Sequence, residues 1–227
     1  MEVLTQAPKL VEQTYTSILN AICDGQLPPG ERLNQDGLAS RMNVSRQPVG
    51  QALSILKSQG FVRDAGRRGL IVAPLEREFF RAIYELREAI DPTAARLAAG
   101  RATPEQVAEG REFVAAGGAA VPGGSIEALI AADARFHLWC YRVAGNPLIV
   151  EMMQLYWNHL RRAMGEVLKP VGSRRQVWEE HDGILQAIAA HDPAAAADRA
   201  LRHVCDAALR VAESVPAGAR AVPPPAL

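Results

Sequence analysis

The chain has 227 residues, with 25 basic and 25 acidic side chains and an ordinary apolar content of 48%. This length suits one or two domains with a sizeable core. The balanced charge argues against a protein that binds nucleic acid over most of its surface. The charge is nevertheless uneven, because residues 31–72 carry seven Lys or Arg against three Asp or Glu. Phosphate binding needs such a local excess of positive charge, so this segment is the first candidate for a nucleic-acid contact.

The sequence shows no membrane or secretory segment. No apolar run reaches the length that spans a membrane, and the first residues lack the apolar region of a secretory signal. The cysteines, Cys23, Cys140 and Cys205, are far apart and each falls in an apolar helical pattern. This usage indicates buried free thiols in a reducing compartment, so we expect a cytoplasmic protein with no membrane contact.

An amphipathic helix is predicted near the N-terminus, because apolar residues recur at helical spacing from Val11 to Ile22. Gly25 and the Pro-Pro-Gly sequence at 28–30 end this helix in a turn. Its apolar face is expected to pack behind the second of the two helices that follow, so that it forms the third helix of a small N-terminal domain.

Residues 34–62 are typical of a helix-turn-helix. Asn34 or Asp36 can cap the first short helix, and Asn43 tolerates the left-handed conformation at its end. Ser45 is predicted to cap the second helix, whose apolar residues share one face while its polar N-terminal residues stay exposed. In a helix-turn-helix, those N-terminal residues contact base edges in the major groove.

A β-hairpin is predicted over residues 61–72, where two short apolar runs flank a basic, glycine-rich turn. A hairpin directly after a helix-turn-helix gives a winged-helix arrangement, with the arginines of the turn placed to meet phosphate or a groove. The alternative, two surface helices of an ordinary bundle, does not account for this hairpin.

From Leu75 to about Ser214 the apolar period is helical almost throughout, which predicts an antiparallel bundle of about six helices. Asp91-Pro92 is expected to interrupt the first of them, with Asp91 as the cap of a new segment. Later helices are expected to begin with caps at Thr103, Ser125 and Asp192, and two others are expected to start at Leu148 and at about Arg174. The predicted fold is mainly α, with a winged-helix domain at 9–74, a helical domain at 75–214 and a disordered tail at 215–227.

Asp133 and His137 are four residues apart on a predicted helix, so both project from one face, one turn apart. His181 and His203 lie on two later helices, and the helices of a bundle can direct such side chains at one internal site. One carboxylate and three imidazoles suit zinc, nickel or another borderline divalent metal ion. From the residues alone, scattered surface or core histidines are the alternative.

The N-terminal motifs, taken in order, resemble the DNA-binding domain of the GntR family of bacterial transcription regulators. The resemblance covers residues 11–74 and rests on Ile22-Cys23-Asp24-Gly25, Pro29-Gly30-Glu31-Arg32-Leu33, Leu38-Ala39, Val44-Ser45-Arg46-Gln47-Pro48-Val49, Ala52-Leu53, Gly60-Phe61-Val62 and Arg68-Gly69. The residues expected to contact DNA are Arg32, Arg41, Ser45, Arg46, Gln47, Arg67, Arg68 and Gly69. One departure is Gly50, where the family usually carries Arg, and it suggests a different or weaker reading of the operator.

Residues 79–212 resemble the helical effector domain, called FCD, of FadR-like regulators, a branch of the same family. The matching pieces are Glu85-Leu86-Arg87, Asp133 with Phe136-His137, Ala144-Gly145-Asn146-Pro147-Leu148, Glu180-His181 and His203. In metal-binding members of that branch, one Asp and three His at these positions hold a divalent ion, which implies a metal site at Asp133, His137, His181 and His203.

The resemblance also suggests that the effector is a small organic acid whose carboxylate meets the ion. It places Arg87 near the cavity, where a guanidinium can pair with an anion through two hydrogen bonds. Trp178 is three residues before His181 and is a candidate wall of the same pocket. The alternatives are a solvated helix arginine for Arg87 and plain core packing for Trp178.

Taken together, the sequence predicts a homodimeric, ligand-responsive transcription regulator and not an enzyme. It is expected to bind double-stranded operator DNA and to sense a small carboxylate at a divalent metal ion. Two alternatives remain open. One is a metal-dependent enzyme with a fused DNA-binding-like domain, because a histidine-rich site with open positions can activate water. The other is a regulator whose metal is purely structural.

Overall fold

The computed structural model describes residues 7–66, 69–167 and 171–215. The chain divides into two compact units, with the division between Leu75 and Glu76. The N-terminal unit, called the head, contains helices and a small sheet. The C-terminal unit, called the body, contains only helices among its described residues. The mainly helical fold predicted from the sequence is confirmed.

The head contains a helix-turn-helix and a three-stranded antiparallel sheet. Its helices are α1 (Ala7–Cys23), α2 (Gln35–Met42) and α3 (Arg46–Ser58), and its strands are β1 (Arg32–Leu33), β2 (Val62–Asp64) and β3 (Leu70–Val72). Strand β3 is central, pairing with β2 to form the wing and with β1 on its other edge. The predicted hairpin is confirmed. Strand β1 is an addition to the prediction. The sequence does not indicate it, because a strand of two residues has no periodic signal.

Local residue chemistry explains the turn between α2 and α3. The carboxamide oxygen of Asn34 accepts hydrogen bonds from the backbone N–H groups of Asp36 and Gly37, and so caps α2. Asn43 ends that helix in the left-handed conformation, at a φ of 53°. Ser45 occupies the cap position of α3, but its hydroxyl makes no capping hydrogen bond, so the predicted side-chain cap is wrong.

Hydrophobic burial decides which face of α3 is exposed. Val49, Leu53 and Leu56 are fully buried in a core that also contains Phe61 and Val72. Burying each such side chain contributes about 1.5–3 kcal/mol. Because these residues hold one side of α3 against the core, the polar residues at its N-terminal end are left on the surface.

Six helices form the described part of the body. They are α4 (Arg77–Arg101), α5 (Pro104–Ala120), α6 (Ile126–Val143), α7 (Pro147–Val167), α8 (Val171–Ala189) and α9 (Pro193–Ser214). Thr103 caps α5 in a reciprocal capping box with Gln106, while Ser125 and Asp192 cap α6 and α9 through their side chains. These three predicted starts are confirmed, and α8 begins slightly earlier than predicted.

Helix α4 runs through Pro92 without a break, so the predicted interruption there is wrong. A proline inside a helix removes a backbone donor and costs roughly 3 kcal/mol. Tertiary packing offsets this cost, since Tyr84, Arg87 and Asp91 on the same helix are all buried. Asp91 is therefore a buried carboxylate and not a helix cap.

Two glycines of α5 allow aromatic rings to approach the helix backbone. A Cβ atom added at Gly110 would lie 2.5 Å from the ring of Trp139, and one added at Gly117 would overlap the ring of Trp178. The indole N–H of Trp139 also donates to the Gln106 carbonyl, 2.9 Å away. Helix α5 therefore packs closely against α6 and α8, which carry most of the candidate metal ligands.

The described part of the body ends at Val215. Val215, the first residue of the predicted disordered tail, is buried, and its carbonyl accepts two hydrogen bonds from Arg77. The rest of that tail, 216–227, lies outside the described residues.

No described helix is both long and apolar enough to cross a membrane.

Candidate metal centre and nucleic-acid interface

The N-terminal end of α3 presents polar side chains to solvent. Ser45, Arg46 and Gln47 are exposed, as are Arg32 of β1 and Arg41 of α2. Hydrogen bonds to phosphates and base edges require donors that an external partner can reach. The predicted DNA-contacting residues of these elements are therefore all accessible.

An exposed ion pair holds Arg46 beside α2. Its Nε atom lies 2.9 Å from Oδ1 of Asp36, and the two side chains are 69% and 66% exposed. A surface pair of this kind contributes at most about 1 kcal/mol. A phosphate or a base edge can therefore replace Asp36 as the partner of this guanidinium at little cost.

The wing is described only in part. Arg67 and Arg68, both predicted to contact DNA, lie outside the described residues. Gly69 is exposed in the left-handed region, at a φ of 75°, and donates its N–H to the Gly66 carbonyl. A side chain would be strained at such a φ, which explains a glycine at this place in the turn.

Packing within the head does not require a glycine at position 50. A Cβ atom added to Gly50 would meet only Oε1 of Gln35, at an ordinary contact distance of 3.9 Å. Glycine inside a helix costs roughly 0.5–1 kcal/mol relative to alanine. Nothing in the described structure of the head explains why this position carries no side chain.

Three histidines from three helices of the body converge on one point. His137 of α6, His181 of α8 and His203 of α9 each offer a ring nitrogen, and these nitrogens lie within 4.8 Å of one another. The Nε2 atoms of His137 and His203 are 3.3 Å apart. All three rings are buried, so this histidine cluster is shielded from bulk water.

Asp133 lies at the edge of the histidine cluster, one helical turn before His137. Its Oδ1 atom is 3.5 Å from Nε2 of His181, and its side chain is buried. The structure thus brings together the four residues that the sequence proposes as metal ligands. Three form a compact group, and the aspartate meets that group through His181.

Burial disfavours charge on every member of the cluster. It lowers the pKa of His137 and His181 well below the ordinary value and also lowers the pKa of His203, with the positive charge of Arg87 acting in the same direction. Burial raises the pKa of Asp133 to about 7, against the opposing effect of Arg87. The imidazoles are therefore neutral, and neutral imidazole is the form that binds metal.

The donor set fits a divalent cation. Neither ring nitrogen of His181 has a hydrogen-bond partner among the described residues, and an unpaired buried polar atom costs about 1–3 kcal/mol. The 3.3 Å between the facing nitrogens of His137 and His203 is close to the roughly 3.4 Å expected for two nitrogens on one tetrahedral zinc ion. A cation would also favour the ionised form of Asp133.

Glu180, to which the sequence analysis assigned no role, contacts the cluster from outside. Its Oε2 atom is 2.7 Å from Nδ1 of His203, and Arg210 donates hydrogen bonds to both of its oxygens. Burial acts to raise the pKa of Glu180, but the hydrogen bonds from His203 and Arg210 outweigh it and hold that pKa below its ordinary value. Arg210 is seven residues after His203, on the same face of α9, and this spacing is the signal that could have identified it.

Arg87, predicted to contact the effector, is buried and bound within the body. Its Nε and Nη2 atoms donate to Oδ2 of Asp91, at 3.0 and 2.7 Å, and the Tyr141 hydroxyl donates to the other oxygen at 2.7 Å. The guanidinium also stacks over the rings of Tyr84 and Trp157. The alternative of a solvated helix arginine is therefore wrong.

Trp178 packs beside the cluster. Its ring lies 4.8 Å from that of His181, edge to face, and it also contacts the backbone of Gly117. A small cavity next to the cluster has room for about one water molecule. The polar residues around this cavity are Asp91, His137, Cys140, Tyr141 and His203. Arg87 and Trp178 do not border it, so a larger ligand would require this region to open.

Comparison with known proteins gives two family matches and several relatives. The description "Bacterial regulatory proteins, gntR family" matches residues 10–72, and "FCD domain" matches residues 82–206, more than half of the chain. The chain is 38% identical over 86 residues to the Nta operon transcriptional regulator of Aminobacter aminovorans. The matched region covers 38% of this chain and 41% of that protein. It is 26% identical over 186 residues to the HTH-type transcriptional regulator McbR of Escherichia coli, covering 81% of this chain and 84% of McbR.

Solved structures share the fold. Escherichia coli McbR/YncC matches with a TM-score of 0.79 and 22% identity, over 93% of this chain and 99% of that one. A putative transcriptional regulator GntR from Rhodococcus sp. RHA1 also matches with a TM-score of 0.79, at 21% identity, over 92% and 100% of the two chains. These likenesses extend over both the head and the body.

A winged helix-turn-helix joined to an all-helical unit defines a DNA-binding regulator with an effector domain. The chain belongs to the GntR family of bacterial transcriptional regulators, in the FadR-like group that carries an FCD domain. Its relatives are transcriptional regulators and not enzymes, as the sequence predicts.

Proposed function

We propose that the protein is a homodimeric regulator whose affinity for operator DNA responds to a small organic acid bound at a metal ion in the body. The observation that carries this proposal is the buried cluster of three histidines with Asp133, in which His181 has no hydrogen-bond partner among the described residues. A purely structural core would not normally leave such a ring unsatisfied.

Operator binding is assigned to the head. Arg46 and Gln47, at the exposed start of α3, contact base edges in the major groove, with Ser45 beside them. Phosphate or minor-groove contacts come from Arg32, Arg41, Arg67, Arg68 and Gly69. Two subunits place two such helices on the halves of a roughly palindromic operator, since a dimer with twofold symmetry matches a site of the same symmetry.

Metal binding is assigned to Asp133, His137, His181 and His203, and zinc or nickel suits this set of ligands. When bound, the ion supplies a positive centre that can accept an effector carboxylate. Arg87 adds positive charge to the same region, and Trp178 supports the ring of His181. The effector shifts DNA binding only to the extent that it binds one arrangement of the protein better than another.

Two measurements test this function. Fluorescence anisotropy with the DNA upstream of the protein's own gene should show binding that weakens steeply with salt, as phosphate contacts require. Absence of salt-sensitive binding would contradict a role as regulator. Thermal unfolding with a panel of organic acids, with and without a chelator, tests the sensing role. Stabilisation by an acid only when metal is present supports it, whereas stabilisation by metal with no further effect of any acid would indicate a structural ion.

A further inference from the structure

Two arginine–carboxylate pairs flank the histidine cluster, and they differ in the distance between the carboxylate and the nearest imidazole nitrogen. Asp91, held by Arg87, lies 4.0 Å from Nδ1 of His137, which is too far for a hydrogen bond. Glu180, held by Arg210, lies 2.7 Å from Nδ1 of the third histidine of the cluster. Only the second pair is therefore in direct hydrogen-bond contact with a ring of the cluster.

The contact between Glu180 and His203 determines where the imidazole proton sits. Two hydrogen bonds from Arg210, at 3.1 and 2.8 Å, keep Glu180 ionised, and an ionised carboxylate can only accept hydrogen bonds. The 2.7 Å contact therefore requires a proton on Nδ1 of His203. In a neutral ring the other nitrogen, Nε2, is then bare, and this is the atom that faces His137 at 3.3 Å.

We propose that Glu180, clamped by Arg210, is a positioning residue that holds His203 as the Nδ1–H tautomer and turns its Nε2 lone pair toward the metal position. The proposal rests on the proposed metal site, and it also makes a claim about the metal-free protein. Outer carboxylate partners of this kind typically change metal affinity by 10–100-fold when they are removed.

The substitution Glu180→Ala tests the proposal, because it removes the group that accepts from Nδ1 of His203. Glutamine would be a poor test, because Oε2 of Glu180 accepts from both His203 and Arg210, and an amide oxygen at that place would keep both hydrogen bonds. Without the carboxylate, Arg210 offers His203 only donors, and a neighbouring donor favours a bare Nδ1 with the ring proton on Nε2. The variant should therefore invert the tautomer. Glu179→Ala is the matched control, because Glu179 is the exposed neighbour and loses the same charge.

The first measurement is a long-range ¹H–¹⁵N correlation spectrum of the metal-free protein, with the His203 signals assigned through a His203→Gln variant. The proposal predicts a proton on Nδ1 in the wild type and in Glu179→Ala, and a proton on Nε2 in Glu180→Ala. A wild-type proton on Nε2 would overturn the proposal without any variant. An unchanged tautomer in Glu180→Ala would overturn it as well.

The second measurement is zinc affinity by competition with a chromophoric chelator. Glu180→Ala should weaken zinc binding by about 10–100-fold, and Glu179→Ala should leave it unchanged. If the tautomer inverts while zinc affinity stays the same, the positioning role is overturned. If wild-type protein binds no zinc, nickel or other divalent ion, the proposed metal site fails, whereas the tautomer result still decides the claim about Glu180 by itself.

A double variant separates a clamp from an independent contribution of Arg210. If Arg210 acts through Glu180, then Arg210→Gln weakens zinc binding less than Glu180→Ala, and the two changes together weaken it no more than Glu180→Ala alone. Additive losses would show that Arg210 acts by another route and would overturn the clamp.

Discussion

The head and the body use their ionisable residues in opposite ways. In the head, Arg32, Arg41 and Arg46 are exposed, and Arg46 pairs with the equally exposed Asp36. In the body, the ionisable residues of the candidate site are almost completely buried. They are Arg87, Asp91, Asp133, His137, His181 and His203.

This difference indicates which kind of binding partner suits each unit. An exposed ion pair is worth at most about 1 kcal/mol, so the head can exchange its partners for an external polyanion at low cost. A buried charge is expensive unless it is paired, so the body must supply permanent partners or hold a permanent occupant. The head therefore suits reversible contact with DNA, and the body suits an internal ion.

The largest expected effect concerns that internal ion. Zinc at about 100 times its dissociation constant should stabilise the folded protein by about 2.7 kcal/mol, since it binds the folded state and not the unfolded one. For a unit of this size the unfolding midpoint should rise by about 5–10 °C, measured by circular dichroism with and without a chelator. In His181→Ala the rise should vanish. A rise of equal size in that variant would place the metal elsewhere.

A smaller but still clear effect is expected at the exposed face of the head. Arg46→Ala should cost about 1–3 kcal/mol of operator affinity, because it removes a charged contact to a base or a phosphate. Fluorescence anisotropy at several salt concentrations measures it. Lys57→Ala is the control, since Lys57 lies at the other end of α3 and pairs with Asp64. Equal losses in the two variants would mean that only overall charge matters.

Close packing in the body gives a third prediction. Gly117→Ala should destabilise the protein by about 1–3 kcal/mol in urea unfolding, because the new methyl group would overlap the ring of Trp178. Zinc affinity should fall too, since that ring packs on His181. Gly118→Ala, at the next position of the same helix, meets nothing within 4 Å and should not destabilise. Similar outcomes for the two variants would contradict the packing described around His181.

The smallest effect is expected at position 50 of the head. Gly50→Ala should stabilise the protein by about 0.5–1 kcal/mol, because alanine favours the helix and its methyl group makes only an ordinary contact. Urea unfolding measures the gain. A loss of stability would reveal a packing constraint on α3 that the described structure does not contain.

Much of the head follows from local sequence signals. The cap at Asn34, the left-handed Asn43 and the hairpin depend on residues near one another in the chain, so their chemistry is visible in the sequence. The two-residue strand β1 and the missing cap bond at Ser45 were not predictable in this way. The first depends on pairing with a distant strand, and the second on the rotamer of one hydroxyl.

The body shows where local signals stop being sufficient. Pro92 is a strong local breaker of helices, yet α4 continues through it because its buried side chains are held by tertiary contacts. The spacing of Asp133 and His137 could be recognised on one helix, whereas the partnership of Glu180 with His203 joins two helices. Contacts between helices carry no periodic signature, so the supports of the histidine cluster appear only in three dimensions.

The central claim is that the body holds a metal ion among Asp133, His137, His181 and His203. Anomalous diffraction from crystals grown with zinc, recorded on both sides of the zinc absorption edge, tests it most directly. The account predicts one strong anomalous peak within about 2.3 Å of the ring nitrogens of the three histidines. No peak there, or a peak bound by other residues while these four stay unligated, would contradict it.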